Sequence, residues 1–594
     1  GKTRVLNYRT MYLLEKGIPP SRICLLTFTN KAAREMLRRI ESHLGCVPET
    51  LIAGTFHHVA NVFLKRYSHY AGLPSNYVII DREDSLSIIK EVSKKIFPDK
   101  EISPELIQEI LSLAANTSET IKDLIITRHP YFSNVIARLE TLQDAYNKRK
   151  RELGVVDYDD LLSFWLKILT MQEPGEKISR KLLYIMVDEY QDTNRIQALI
   201  LYQLARVNKN IMVVGDDAQS IYSFRGATIQ NILEFPKIYP DAKLFYLQTN
   251  YRSTPEILSL ANSVISHNRY QFPKVLKSVK NSGVKPVVVE CYDKHSECVF
   301  VVNRLKELLK KVNPSDIGIL FRSRYQSAEI EIELNKLKIP YVVRGGLRFF
   351  EMAHIKDIIA FFRVYQNPKD ELSWIRILNL TRGIGRSSRE KILKLVKEKN
   401  NIDEILHSNG LKLVSPAEKG WENLKNILKN MSEAKNLPEQ IKTIVNSFYK
   451  EYLVSHYLDY EQRLADIQSL LEISGSWNNV EEFISQTSLQ EHFRGEIKNT
   501  GEALVLSTIH QAKGLEWKIV FIIGVSAFHF PHSLSSNDFA GIEEERRVFY
   551  VGITRAKEDL YITYHMSDPR NFSFRRSIFI QEIPNHLIEQ WKFD

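Results

Sequence analysis

The sequence predicts an α/β protein of two lobes, each interrupted by a mainly helical insertion. Two patterns carry that reading. Short apolar runs recur and stop at polar residues or glycine, as in Leu183-Tyr184-Ile185-Met186-Val187 before Asp188 and Ile211-Met212-Val213-Val214 before Gly215. Strands buried on both faces of a parallel sheet under helices produce such runs. Two other stretches are charged and helical in periodicity, with no strand–turn–helix alternation, such as Pro104-Glu105-Leu106-Ile107-Gln108-Glu109-Ile110-Leu111.

Taken in chain order, the first lobe is expected over 1–74 and 155–242, with a helical insertion over 75–154. Ile23-Cys24-Leu25-Leu26-Thr27-Phe28 reads as its first buried strand, followed by a helix from Lys31. The second lobe is expected over 243–380 and 494–594, split by a helical insertion over 381–493. Its strands are read at Leu244-Phe245-Tyr246-Leu247, Pro286-Val287-Val288-Val289, Ile317-Gly318-Ile319-Leu320-Phe321, Leu504-Val505-Leu506-Ser507 and Ile519-Val520-Phe521-Ile522-Ile523. The chain has 594 residues, too many for one hydrophobic core. There is no repeat of solenoid period.

Composition narrows the class. Hydrophobic residues make up 44% and charged residues 26%, as in soluble globular proteins. Lys and Arg number 81 against 71 Asp and Glu, a net charge of +10, which favours an anionic partner such as nucleic acid. The cysteines Cys24, Cys46, Cys291 and Cys298 form no CxxC pair, which argues against zinc or iron–sulfur sites. So few thiols suit a reducing cytoplasm. No apolar run reaches membrane-spanning length and no signal peptide opens the chain, so a cytoplasmic protein with no membrane partner is expected.

In open α/β sheets ligands bind at the carboxyl ends of strands, and the polar clusters fall there. In Val187-Asp188-Glu189-Tyr190-Gln191-Asp192, the first acid suits Mg²⁺ binding and the second suits activation of water against a γ-phosphate. The residues alone fit an acidic helix N-terminus equally well. In Gly215-Asp216-Asp217-Ala218-Gln219-Ser220-Ile221-Tyr222-Ser223-Phe224-Arg225-Gly226, Gln219 could sense a phosphate. Tyr222 and Phe224 could stack on bases, worth ~1–3 kcal/mol per base whatever the sequence, or could belong to the core. Arg252 in Asn250-Tyr251-Arg252-Ser253 and Arg555 in Thr554-Arg555-Ala556 could stabilise a transferring phosphoryl group; a lone arginine is more often a solvated surface charge. Gly1-Lys2-Thr3 matches the last part of the phosphate loop GxxxxGK[ST], with helix-compatible sequence after it.

Together these clusters closely resemble the UvrD/Rep/PcrA family of superfamily 1 DNA helicases. The resemblance runs over nearly the whole chain and in family order. It is carried by Thr27-Phe28-Thr29-Asn30-Lys31-Ala32-Ala33, Gly54-Thr55-Phe56-His57, Asp157-Tyr158-Asp159-Asp160-Leu161-Leu162 and Val187-Asp188-Glu189-Tyr190-Gln191-Asp192-Thr193-Asn194. The Gly215–Gly226 cluster and Asn250-Tyr251-Arg252-Ser253 follow. Thr381-Arg382-Gly383-Ile384-Gly385, Ser507-Thr508-Ile509-His510-Gln511-Ala512-Lys513-Gly514-Leu515-Glu516 and Tyr550-Val551-Gly552-Ile553-Thr554-Arg555-Ala556 complete the set.

The resemblance implies two RecA-like P-loop NTPase lobes with ATP and Mg²⁺ held between them. Gly1, Lys2, Thr3 and Arg4 would border the triphosphate, with Lys2 on its β- and γ-phosphates. Thr3 and Asp188 would hold Mg²⁺, and Glu189 would activate water. Gln219 would couple the γ-phosphate to the DNA site, and Arg252 and Arg555 would act as arginine fingers. Tyr251 would stack on adenine, and Glu516 would lie at the ribose and triphosphate edge. Single-stranded DNA would touch Phe28, Thr55, His57, Tyr222, Phe224, Arg225, Thr508, His510 and Lys513. The implied activity is ATP-driven 3′ to 5′ translocation on single-stranded DNA with duplex unwinding at single-strand/double-strand junctions, in repair or replication and beside proteins of those pathways.

The start of the chain departs from the family. The strand and first half of the loop that precede GK[ST] are absent, so the chain is expected to be a fragment of a longer protein. Losing a strand from the middle of a sheet would leave neighbouring backbone groups unpaired, at ~1–3 kcal/mol for each buried group. Family members use a hairpin near the end of the second lobe as a wedge between strands, and Phe572 or Phe574 could serve. Two other readings stand beside the helicase. One is a single-strand translocase or protein-displacing motor without useful unwinding. The other is a catalytically inactive DNA-binding module. The motif spellings disfavour an RNA helicase.

Overall fold

The computed structural model describes every residue except 100, 345–348, 409–410, 476, 478, 481–482, 485–502, 528, 533–537, 568–575 and 594. Phe572 and Phe574 therefore lie outside the described residues. The chain folds into two compact units. The first comprises Gly1–Asn250, Ile265–Lys277 and Arg546–Tyr550; the second comprises Tyr251–Val264, Ser278–Glu545 and Val551–Asp594. Among the described residues no helix is long and apolar enough to cross a membrane.

The first unit is built on a four-stranded parallel sheet of β1 (Ile23–Thr27), β2 (Ile52–Thr55), β3 (Tyr184–Val187) and β4 (Ile211–Val213), in the order β2-β1-β3-β4. All five residues of β1 are buried, and their side chains alternate between two cores as strand geometry requires. Ile23 and Leu25 join Met186 under Met36 and Ile40 of the helix Asn30–Leu44. Cys24 and Leu26 join Ile185 and Val187 under Val59 and Phe63 of the helix Phe56–Ala71. Each of these helices starts on a threonine, Thr29 or Thr55, whose side-chain oxygen accepts a backbone N–H of the first turn. Such caps satisfy donors that the helix leaves unpaired. The strand–cap–helix sequence therefore places Phe28 and His57 just past the carboxyl ends of their strands.

One expected strand is different. Leu244-Phe245-Tyr246-Leu247 belongs to no strand, and Phe245 is 85% exposed. Its apolar pattern suits a ladder, but among the described residues nothing pairs with it, and β4 is the edge of the sheet. The apolar pattern shows only that the segment would suit a sheet; whether it forms a strand depends on a neighbour.

Helices Arg82–Ile96, Pro104–Thr117, Ile121–Arg128 and Ile136–Leu153 follow one another between β2 and β3. They are tied by a polar network to the starts of the helices Tyr158–Thr170 and Arg195–Ala205. Lys150, only 5% exposed, donates to Asp157 at 2.6 Å and to Asp160 at 2.7 Å. Asn116 donates to Asp159 at 2.8 Å and accepts from Asn194 at 3.0 Å. Asn194 in turn caps the helix Arg195–Ala205.

The second unit carries a seven-stranded parallel sheet. Its strands are β5 (Val287–Cys291), β6 (Ile317–Phe321), β7 (Tyr341–Arg344), β8 (Leu504–Thr508), β9 (Trp517–Ile523), β10 (Ala556–His565) and β11 (Glu589–Phe593), in the order β7-β8-β6-β9-β10-β5-β11. The expected runs at 317–321, 504–507 and 519–523 all lie within strands. Between β7 and β8, helices from Ala353–Gln366 to Tyr460–Ser474 share a core around Phe361, Trp374, Trp421 and Leu470. The architecture is α/β with two parallel sheets, as the apolar runs predicted.

Burial pushes the Asp159 carboxyl up to about 6 from its ordinary 3.8. The fold thus favours its protonated form, so its ionisation costs stability as pH rises through about 6 and costs nothing below about pH 4. Asp159→Asn keeps an acceptor for Asn116 without the charge. It is expected to raise the apparent melting temperature by a few degrees at pH 8 and to give no gain below about pH 4. A gain of equal size at both pH values, or none at pH 8, would contradict the assignment.

Candidate active site

The polar end of β3 holds the core of the site. Asp188 is 2% exposed. It accepts a 2.7 Å hydrogen bond from Thr3 Oγ1 through one oxygen and the Glu189 N–H through the other. Glu189 sits in the left-handed region with φ of 50°, a strain of order 1–3 kcal/mol for a residue with a Cβ. That conformation turns its side chain toward Gln191, which donates to it at 2.6 Å. Lys2 Nζ lies 3.8 Å from Glu189 and is shielded from solvent without a hydrogen-bond partner. Burial alone would lower its pKa, but Glu189, Asp216 and Asp188 outweigh that and raise it, so Lys2 is a cation. The Asp188 carboxyl is pushed up by burial and by Glu189.

A buried ammonium with no hydrogen bond, facing two crowded carboxylates beside a threonine hydroxyl, fits a triphosphate with a divalent cation. Phosphate oxygens would satisfy Lys2 Nζ, and a cation held by Thr3 and Asp188 would relieve the repulsion between Asp188 and Glu189. Gly1 is exposed at the N-cap of the helix Lys2–Glu15. Arg4 points along the helix surface, donating to Tyr8.

From β4 the loop 215–226 runs past this centre. Gly215 admits no side chain: a Cβ there would stand 2.7 Å from Gln191 Oε1 and 2.6 Å from Ile232. Gln191 Oε1 accepts the Asp216 N–H at 2.9 Å, so Gln191 joins the Glu189 loop to this one. Gln219 donates to Asp216 at 2.7 Å. Further along, Tyr222 stacks on Phe28 with ring centres 6.2 Å apart, and Arg225 covers the rings of Tyr222 and Phe224 at 5.6 and 5.5 Å. Phe224 is 57% exposed. His57 meets Tyr158 edge-on at 6.0 Å, and burial lowers its pKa. Thr55 is spent on its cap to His58. The result is an aromatic and cationic shelf continuous with the phosphate-facing loop.

The second unit divides its groups between the two edges of its sheet. Thr508, His510 and Lys513 lie at and after the carboxyl end of β8. Tyr251, Arg252, Glu516 and Arg555 gather instead at the amino ends of β9 and β10. Arg252 pairs with Glu516 and donates to Thr554 O at 3.1 Å, while Lys557 pairs with the other Glu516 oxygen at 2.9 Å. Burial works against ionisation of Glu516, but those two cations hold its carboxyl below its ordinary pKa. Tyr251 is 76% exposed. Arg555 is 2% exposed and donates to Val551 O, Leu515 O and the Thr554 hydroxyl.

The UvrD/REP helicase N-terminal domain model matches residues 1–240, and the UvrD-like helicase C-terminal domain model matches 245–567. The chain belongs to the UvrD/Rep helicase family. Among curated relatives, this helicase is 35% identical over 616 residues to the ATP-dependent DNA helicase PcrA of Bacillus subtilis (strain 168), covering 99% of this chain and 83% of the relative. It is 36% identical over 617 residues to the PcrA of Staphylococcus epidermidis (strain RP62A), with 99% and 84% covered.

Three further residues hold these groups in place. Gln191 orients Glu189, Asp216 holds Gln219, and Lys274 donates to both Asp216 and Asp217. Gln191 stands among the acids of a motif, so its position was a signal. Lys274 stands in no quoted motif. Because the Gly215 contact is a close approach between backbone and side chain, Gly215→Ala is expected to cost about 1–3 kcal/mol by overpacking, read as a lower melting temperature. A variant that melts with the parent would contradict the contact.

Proposed function

We propose that this protein is an ATP-dependent DNA helicase that translocates 3′ to 5′ on single-stranded DNA and opens duplex at single-strand/double-strand junctions, serving cytoplasmic DNA repair or replication alongside proteins of those pathways. The observation that carries the reading is the buried ammonium of Lys2 opposite Asp188 and Glu189, joined through one loop to the shelf of Phe28, Tyr222, Phe224 and Arg225. The curated relatives are named as ATP-dependent DNA helicases, in keeping with it.

In this reading Lys2, with Gly1 and Arg4 beside it, binds the β- and γ-phosphates, and Thr3 and Asp188 hold Mg²⁺. The ion supplies charge neutralisation to the phosphates when bound. Glu189, oriented by Gln191, takes the proton of the attacking water. Gln219 reads the γ-phosphate. From the second unit Tyr251 stacks on the adenine, Glu516 meets the ribose edge, and Arg252 and Arg555 supply positive charge to the transferring phosphoryl group. Arg555 can do so only by exchanging its present carbonyl partners for phosphate oxygens. Bases stack on Phe28, Tyr222 and Phe224, while Thr55, His57, Arg225, Thr508, His510 and Lys513 line the strand's path. A γ-phosphate that shifts Gln219 shifts the loop carrying Tyr222, which links hydrolysis to grip on the strand.

Glu189→Gln removes the base but keeps the shape and an amide that can pair with Gln191. It is expected to lower DNA-stimulated ATP hydrolysis by ~10²–10⁴-fold with nucleotide binding retained; near-parental hydrolysis would show that Glu189 is not the base. Tyr222→Ala is expected to weaken binding of an oligo(dT) probe by ~1–3 kcal/mol, measured by fluorescence anisotropy, and unchanged affinity would remove Tyr222 from the strand's path. Unwinding measured beside translocation separates a helicase from a motor that only moves.

A further inference from the structure

We propose that Lys274 is a positioning residue that sets Gln219 for its response to ATP, an inference that rests on the reading of Gln219 as the γ-phosphate sensor. Lys274 Nζ donates to Asp216 Oδ1 and, at 2.6 Å, to Asp217 Oδ1. Its side chain is 14% exposed. The grip is reinforced nearby, where the Phe272 N–H donates to the second Asp217 oxygen at 3.1 Å. Asp216 therefore works as a two-sided fitting. One oxygen takes Lys274, and the other takes the Gln219 amide at 2.7 Å.

Charge makes the arrangement depend on Lys274. Asp216 is a buried anion, and a buried anion without a cation either takes up a proton or leaves its place. Either change removes the fixed acceptor on which Gln219 rests. Lys2 also acts on Asp216, but Lys2 is the group that a triphosphate would engage. When it does, Lys274 remains as the cation that keeps Asp216 ionised and in position. A cation with several donors suits this place, because it must meet two carboxylates from adjacent residues at once.

The location of Lys274 in the chain adds a consequence. It lies on Ile265–Lys277, one of two short stretches by which the chain re-enters the first unit. The other, Arg546–Tyr550, brings Arg547, which donates to Ser220 O at 2.8 Å. Arg546 donates to Asn268 at 2.7 Å and so ties the two stretches together. The loop that carries Gln219 is thus held on both sides of that residue by stretches whose continuations belong to the second unit. Lys274 sits where a change at the γ-phosphate would be passed along the chain.

The test is a kinetic cycle on the intact protein with oligo(dT) as activator. Lys274→Met is expected to lower DNA-stimulated kcat by ~10²-fold, as small displacements of a positioned group do, with KM for ATP within ~3-fold of the parent. Lys274→Arg, which keeps the charge, is expected to recover ~10-fold or more of that loss. Combined with Gln219→Ala, Lys274→Met should add little, because both changes remove the same positioned amide. Losses that multiply in the double variant, or a raised KM with unchanged kcat, would overturn the proposal. Gln219→Ala with parental kinetics would instead overturn the sensor reading itself, whatever Lys274→Met does. Should Lys274→Met fail to fold, Asp216→Asn tests the same fitting from its other half. It is expected to reproduce the loss of kcat and its non-additivity with Gln219→Ala, and parental kinetics in it would overturn the proposal.

Discussion

Parallel pairing in register is the constraint on which the rest of this molecule depends. Leu26 stands opposite both Gly54 and Val187, and Val187 stands opposite Val213. Strands that run the same way and are aligned residue by residue must end together. The residues that follow them, Phe28 after β1, His57 after β2, Asp188 and Glu189 after β3 and the loop 215–226 after β4, consequently share one end of the sheet. No functional side chain needs to reach far, because the ladder has already delivered it. The cores on the two faces of β1 exist for the same reason, since alternate side chains on a central strand point opposite ways.

Electrostatics then decides what that edge can do. Asp188 and Asp216 stand where burial penalises their charge, Glu189 adds a third carboxylate beside them, and Lys2 and Lys274 answer these acids. The two cations are not equivalent. Lys274 has carboxylate oxygens within hydrogen-bond reach, whereas Lys2 Nζ has none and faces Glu189 at 3.8 Å. An ammonium satisfied by acids holds those acids in place, and one left without a hydrogen bond in a buried site suits an anionic ligand. Gln191 and Asp216 convert that charge pattern into a connection, because Gln191 donates to Glu189 and accepts the Asp216 N–H, and Asp216 in turn accepts from Gln219 on the loop that leads to Tyr222.

Much of this was legible in the sequence, for identifiable reasons. Runs such as Ile317–Phe321 are apolar throughout because both faces of a central parallel strand are buried, and no exposed position breaks the pattern. The places of Glu189, Gln219 and Tyr222 were legible because Glu189 stands just after one such run and the loop carrying the other two follows another. What failed were properties set by partners distant in the chain. The apolar run Leu244–Leu247 reads as a strand, yet a strand needs a neighbour and none pairs with it among the described residues. The carbonyl partners that Arg555 holds, Val551 and Leu515, are set by the fold and leave no mark in the motif Thr554-Arg555-Ala556. Lys274 could not be singled out, because its meaning lies with Asp216 and Asp217, acids nearly sixty residues earlier in the chain.

The central claim is that one loop links the nucleotide centre to the single-strand shelf. Linkage makes this measurable without turnover: if a nucleotide changes DNA affinity by some factor, DNA changes nucleotide affinity by the same factor. The direct measurement is the dissociation constant of an oligo(dT) probe with and without a non-hydrolysable ATP analogue and Mg²⁺, paired with the reciprocal titration. Coupling by loop 215–226 gives equal shifts of ~5-fold or more in the two titrations, which Gln219→Ala abolishes. Tight binding of both ligands with neither affecting the other would contradict it.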